Sequence, residues 1–500
     1  MFASVASIRS APNARSASAL TLLDAALVAY LALPLLIFCA WFKAPVAAVL
    51  AMLILYALWR LLADARWREF GVRPAAIAGI VVVSLVWTAF GGVGHFFYAN
   101  TDWIIRDAVL RDLTATAWPP QYPIDGDFPL ILRAPIAYYL PTAVVGWLAG
   151  PAIGDFAQYL WTALGFALFL CAVTTLFQTS RQRLAAVVLM LAFGGLDLIG
   201  YSLAKGGIPR ASQHLEAWSP LAQYSSNSTL LFWVPNHALP AWLGTALILR
   251  LWRRPELARI APLMAATIPL WSPLAAIGLF PFYVAGLDWR RDFRALFTIS
   301  TGLPFVAIAL VVARYITLDS HTIPGGWAFL AKPLGEYVPQ YLSFCLIEFG
   351  VIAWALYRLK AYDLVLAIAV GVLLLLPLYK FGGANDLAMR SSIPALTVLA
   401  LATVRPIVGQ ERSAWRWVLI LVLLVGAAGS AHEPIRAFVR PAWQMTGHTL
   451  SQSLEMSTDD SFPPLPPHYV AHLNQAGLAA MLREPTMVTP YPAVPAKAKP

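Results

Sequence analysis

Charge is what this 500-residue sequence has least of: 12% of residues are charged against 59% apolar, and the mean hydropathy is +0.68. No water-soluble fold can bury that much apolar side chain, so a soluble globular domain is excluded and the chain is expected in a lipid bilayer. Cysteine is nearly absent too. Cys39, Cys171 and Cys345 each fall inside an apolar run and none has CxxC spacing, which excludes a disulfide framework and a thiolate zinc centre. There is no Walker-type phosphate loop, no sizeable soluble domain and no internal repeat of about 20–50 residues. The net charge of +10 does not indicate nucleic acid, because most Lys and Arg stand in short clusters between apolar runs, where they set membrane topology.

What is abundant is apolar segments of spanning length. They fall near 22–42, 46–63, 75–98, 155–178, 184–200, 237–252, 258–287, 295–313, 341–357, 363–379, 391–404 and 417–432. The first is too long for a signal-peptide core and reads as a retained signal anchor. The run 258–287 is interrupted at Trp271-Ser272-Pro273 and has arginines on both sides, so it is expected to enter and return as two short helices. The expected fold is an all-α polytopic membrane protein of about thirteen transmembrane helices. With the N-terminus cytoplasmic, the basic clusters (Arg9 and Arg15; 60–73; Arg181 and Arg183; 250–259; 290–294; Arg358 and Lys360; 405–416) all fall inside, and they hold about twenty of the 35 basic residues. The apolar run 136–150, broken by Pro141, would upset that order as a full span and reads as a re-entrant or interfacial helix.

Three divisions follow: a two-helix membrane segment over 1–74, a transmembrane core over 75–432, and a Pro-rich extracytoplasmic tail over 433–500. The tail is expected to be largely irregular, with a helix over 469–483. Outer-face loops are expected at 99–154, 201–236, 314–340 and 380–390.

The first of these loops concentrates the chemistry. Residues 100–141 hold five acids (Asp102, Asp107, Asp112, Asp125, Asp127), three arginines (Arg106, Arg111, Arg133) and six prolines. From Asp102 the sequence reads as an interfacial helix, with Asp107 and Arg111 an i, i+4 pair and Ile104, Ile105, Ala108, Val109 and Leu113 on a face turned to the bilayer. Asp102, just before that helix, is either an N-cap or a general base. Asp112 falls on the apolar face and must be paired or face a cavity. Arg133, next to a proline turn, either binds a lipid phosphate or anchors a helix end. Lys380 and Arg390 bracket a Gly-rich turn ending in Asn385-Asp386, which either brings amides to a phosphate or marks two helix ends. His237 at a helix entry, His95 near the outer end of its run, and His214 with Glu216 are weaker candidates. Glu348, inside an apolar run, is costly there unless paired or in a wet cavity.

Thr101-Asp102-Trp103, then Arg111-Asp112-Leu113, then Arg133-Ala134-Pro135-Ile136 with Tyr138-Tyr139 and the later Gly146 and Gly150, resemble the GT-C superfamily of membrane glycosyltransferases. The likeness is to bacterial aminoarabinose and mannosyl transferases that use polyprenyl-phosphate sugars, and it covers roughly residues 75–180. The sequence departs from that pattern in three ways: Trp103 stands where an acid often follows the catalytic one, Ala134 replaces the first proline, and two helices precede the block.

The resemblance implies a multi-pass enzyme of the bacterial inner membrane, with its C-terminus extracytoplasmic. A sugar would move from a polyprenyl-phosphate donor to an outer-face glycan, lipid or protein. Asp102, or else Asp107 or Asp112, would be the catalytic acid. Arg133 would hold the donor phosphate, with Lys380, Arg390, Arg106, His237 and Asp386 nearby. No cofactor is fixed and no protein metal ligand is assigned, although a divalent cation stays open. Two other classes are compatible with the sequence. One is a transporter or flippase with Glu348, Asp197 and the break at Trp271-Ser272-Pro273 along its path; the other is a lipid-linked glycan polymerase or ligase that uses outer-loop arginines and histidines.

Overall fold

The computed structural model describes residues 19–123, 127–133, 135–211, 213–410, 412–445, 447–455 and 468–489. Arg9, Arg15, Asp125, Ala134 and the proline tract 462–467 lie outside the described residues. The protein is a body of packed helices with two small sheets. Six helices among the described residues are long and apolar enough to cross a membrane: Leu22–Trp41, Ala44–Leu62, Pro151–Thr174, Ser180–Lys205, Leu334–Arg358 and Ala414–Val439. Trp289–Phe297 with Gly302–Ile316, bent by 72°, would be a seventh. The other apolar runs form shorter helices, among them Pro74–Phe90, Pro273–Gly286, Leu364–Leu378 and Ile393–Val408. On length and composition the span count is therefore six or seven, below the thirteen expected, because several runs are shortened or interrupted by proline, glycine and turn residues.

The first two helices have different surroundings. Leu22–Phe38 is mostly buried, and its Tyr30 stacks on Trp161 with ring centroids 3.9 Å apart, beside the buried Trp271. Large aromatic areas withdrawn from solvent make this a core helix. Ala44–Leu62 instead exposes Val49, Met52, Leu55 and Trp59, an apolar face suited to lipid. The start of Leu22–Phe38 is held by a capping box at Thr21 and by Arg250, whose Nε donates to Asp24 Oδ1 at 2.7 Å.

The helix expected to break at Ser272 does so. Pro255–Trp271 and Pro273–Gly286 meet there, and Ser272 caps the second by accepting from the Ala275 amide at 3.1 Å. A proline at the first position and a serine before it favour a helix start at this point. The run 136–150 becomes the ten-residue helix Leu140–Ala149, which turns at the left-handed Gly150 into Pro151–Thr174.

Two expectations are corrected. The helix Asp102–Ala115 does not lie on the bilayer by its apolar face, since Ala108, Val109 and Leu113 are fully buried in protein. Among its described residues the last segment is not largely irregular either. The helix Ala414–Val439 continues past residue 432, and farther on the strands Val470–His472 and Thr486–Met487 join Leu130–Leu132 and Pro120–Tyr122 in one four-stranded sheet. Leu130 pairs with His472 and Leu132 with Val470. Asp319 completes the attachment by accepting from the His472 amide (2.6 Å), His472 Nδ1 (2.9 Å) and Asn474 Nδ2 (3.0 Å). Sheet pairing was invisible in the sequence because the strands are two or three residues long and 340 residues apart. Within 469–483 the helix is confined to Ala476–Met481.

Candidate functional site

Asp102 is the first residue of its helix and not the cap. The N-cap position is Thr101, which makes no side-chain cap bond; Asn100 Oδ1 accepts from the Asp102 amide at 3.0 Å, while Asn100 Nδ2 and Trp103 Nε1 both donate to the Phe232 carbonyl at 2.8 Å. These bonds fix where the helix begins. They leave the Asp102 carboxyl, whose side chain is 41% exposed, free of the capping role. Its Oδ2 accepts from Arg106 Nη2 at 3.0 Å, and Arg106 Nη1 donates to Asn236 Oδ1 at 3.0 Å. The i, i+4 pair of this helix is thus Asp102–Arg106, not Asp107–Arg111. Burial works against the Arg106 charge, but Tyr139, Asp102 and Tyr469 offset it and raise its pKa above the ordinary value.

Around this pair the fold gathers other groups. Arg133, buried, donates from its amide to the Tyr469 carbonyl and from Nη1 to the Ile316 carbonyl, each at 2.8 Å. Arg390 pairs with Asp386 at 3.0 Å on the short helix Asp386–Ser391. His237 Nδ1 lies 2.7 Å from Ser272 Oγ, at the helix break, and is near Arg390, Arg106 and His468.

His468 stands among Asp386, Arg390, Arg133 and Asp102. Crowding by protein, with the two guanidiniums, pushes its imidazole down to about 4 against the pull of the two carboxylates, so at neutral pH it is uncharged. Three guanidiniums, Arg106, Arg133 and Arg390, stand here with the carboxylates of Asp102 and Asp386, and Asp319 is a third carboxylate acting on Arg133. Guanidiniums converging in this way suit a phosphodiester.

The structure therefore brings Asp102, Arg106, Arg133, His237, Asp386 and Arg390 to one place. It adds Tyr139, Asn236, His468 and Tyr469. Sequence reasoning missed His468 and Tyr469 because they follow the proline tract, and only the sheet delivers them.

The other candidates go elsewhere. Lys380 is exposed on the strand Tyr379–Phe381, opposite Gly326 of the neighbouring strand, and the Gly382 amide is already used by the Pro324 carbonyl. Asp112 is buried and accepts from the Tyr122 hydroxyl at 2.9 Å and the Leu450 amide at 3.0 Å; burial nevertheless pushes its carboxyl up to about 7. His214 and Glu216 belong to a buried network: His214 Nδ1 lies 3.1 Å from Glu433 Oε1, and Glu216 Oε1 accepts from Thr229 Oγ1 at 2.7 Å.

Asp107 meets His95 in the loop after Pro74–Phe90. His95 Nε2 lies 3.0 Å from Asp107 Oδ2 and His95 Nδ1 lies 3.1 Å from Asp155 Oδ2. Burial lowers the imidazole pKa, but hydrogen bonds to both carboxylates outweigh it and push it up to about 10. Burial raises the Asp107 carboxyl to about 6, even with the His95 hydrogen bond opposing. Among the described residues these three are the cluster able to ligate a metal ion, with donor atoms all within 4.8 Å of one another.

No protein-family model, no characterised protein and no solved structure matches this chain.

Proposed function

We propose that the protein is a membrane glycosyltransferase of the GT-C type that moves a sugar from a polyprenyl-phosphate donor to an acceptor on the extracytoplasmic face. The observation that carries this reading is the convergence of a half-exposed carboxylate, Asp102, with Arg106, Arg133 and Arg390. A polyprenyl-phosphate sugar is a phosphodiester with one negative charge, and three guanidiniums converge here to meet it.

In the proposed reaction Asp102 takes the proton of the acceptor hydroxyl as that oxygen bonds to the anomeric carbon. The bond from that carbon to the phosphate oxygen breaks in the same displacement, with inversion. Polyprenyl phosphate leaves with the electron pair, and Arg133 and Arg390 offset the charge developing on it. Arg106 holds the Asp102 carboxylate in orientation from within the same helix. The reading further takes the membrane to be bacterial and the N-terminus cytoplasmic, and it counts the shorter apolar helices as crossings, about thirteen in all.

The test is sugar transfer in proteoliposomes supplied with a mixed pool of polyprenyl-phosphate sugars, comparing wild type with Asp102→Asn at equal folded amounts. Asparagine keeps an acceptor oxygen for Arg106 but is no base. Transfer by wild type that is lost in the variant supports the proposal. No transfer from any donor overturns it.

One observation favours a second reading, a transporter of a lipid-linked or amphipathic substrate. Glu348 occupies a π-helical turn, Leu346–Gly350, within a long apolar helix, and it shares the Trp218 indole N–H with Asp197. Wide turns of this kind recur at functional positions. Substrate flux across vesicles without transfer would select it.

A further inference from the structure

We propose that His95, Asp107 and Asp155 bind a divalent transition-metal ion of the zinc or manganese class, which staples three segments of the chain around the helix that begins at Asp102. The inference does not depend on sugar transfer.

The three side chains come from separate segments: the loop after Pro74–Phe90, the second turn of Asp102–Ala115 and the second turn of Pro151–Thr174. The loop is shaped to aim the imidazole. His95 adopts a left-handed conformation, φ 60°, directly after Gly92 at φ 83° and Gly94 at φ 78°. A side chain on Gly92 would place its Cβ 2.4 Å from Ala99 Cα. A non-glycine residue in this region is held there by its surroundings, and such residues cluster at sites with a function.

Charge gives the second argument. The side chains are 6%, 2% and 13% exposed, and two carboxylates flank one imidazole. Even a protonated imidazole leaves one negative charge in excess in this enclosed place, and the Arg106 guanidinium, which acts on Asp107, is engaged by Asp102 and Asn236. The second Asp155 oxygen, Oδ1, is buried with no hydrogen-bond partner. Buried charges and unpaired acceptors are costly unless paired or coordinated. A dication with a neutral imidazole brings the net charge to zero and takes up the open lone pairs.

Geometry and ligand type select the ion. Metal–ligand bonds of about 2.0–2.2 Å set donor atoms about 3–4 Å apart, so a cluster already within 4.8 Å closes by side-chain rotation. One imidazole with two carboxylates and no thiolate is a borderline donor set, suited to zinc or manganese and unlike the all-oxygen shells of calcium and magnesium or the soft shells of copper(I). Trp443 covers the site. Its ring packs edge-on to His95 at 4.8 Å, and its Nε1 donates to the Ala99 carbonyl at 2.9 Å.

The experiment uses the full chain, purified in detergent through a histidine-free tag. Bound metals are measured by mass spectrometry, and Tm is followed with EDTA and after adding back Zn²⁺ or Mn²⁺. Wild type is expected to hold about one ion per chain, to lose Tm by several degrees with EDTA and to regain it with the ion. Asp155→Asn and His95→Ala are expected to lose the ion and the EDTA response. Should His95→Ala fail to fold, Asp155→Asn and the wild-type chelation experiment decide alone. A wild type whose metal content equals that of Asp155→Asn, or whose Tm ignores both EDTA and added ions, overturns the proposal; the cluster is then a hydrogen-bonded carboxylate–imidazolium–carboxylate clasp.

Discussion

The Asp102 cluster and the Asp197–Glu348 pair both place carboxyls inside a helical body, but their surroundings are opposite. Asp102 is partly open to solvent, tied to a guanidinium at 3.0 Å and surrounded by arginines from distant segments. Asp197 and Glu348 are each 1% exposed and both accept from the Trp218 indole N–H, and the neighbouring carboxyl of Glu216 is 2% exposed. A partly exposed carboxylate with cationic neighbours can exchange protons with a substrate and hold an anion beside it. Enclosed carboxyls around an indole N–H make a packed polar joint between helices. The arrangement of neighbours, more than the acid itself, separates a reactive site from a structural one.

The strongest way to break this comparison is to neutralise each side in turn. Asp102→Asn is expected to lower transfer by at least about 100-fold, the scale of a lost general base, in the proteoliposome assay and with unchanged Tm. If Glu348→Gln carried that loss and Asp102→Asn did not, the roles assigned to the two regions would be reversed. Next in size, Arg133→Met is expected to cost about 10–100-fold in transfer by removing a charge-assisted phosphate contact; the loss should appear in kcat/KM.

Asp112 sharpens the comparison on the side of stability. Its folded carboxyl keeps its proton up to about 7, above the ordinary 3.8. The stabilisation is therefore complete below about pH 4 and is lost as pH rises through about 7. Asp112→Asn keeps an acceptor for Tyr122 and Leu450 but cannot ionise. It should be more stable than wild type at pH 8 by about 1–3 kcal/mol and equal to it near pH 4, as read by denaturation across that range. The smallest effect is expected for Glu348→Gln: transfer within about twofold of wild type, and stability unchanged or raised by up to about 1 kcal/mol, since the amide oxygen keeps the Trp218 contact and an enclosed ionisable group is removed.

Much of this was legible in the sequence for a physical reason. Apolar runs announce helices whatever their neighbours, and the break at Ser272 follows from Trp-Ser-Pro alone. Asp102, Arg106, Arg133, His237, Asp386 and Arg390 were candidates by residue type and position, and the fold brings them together. Asp107, Asp112 and Lys380 carried the same signals yet face His95, Tyr122 and a strand. The direction of a side chain depends on which turn of a helix meets which neighbour, and that is not encoded locally.

Composition and hydropathy by themselves determined that this is a helical, membrane-type chain with its polar chemistry concentrated between the apolar runs, because the cost of exposing apolar side chains to water is set residue by residue. Only the tertiary structure decided which acids are open and which are enclosed, how His468 and Tyr469 reach Asp102 across a sheet, and how His95 finds Asp107 and Asp155. Those outcomes rest on pairing between segments far apart in the chain, where the energy comes from partners that no local pattern names.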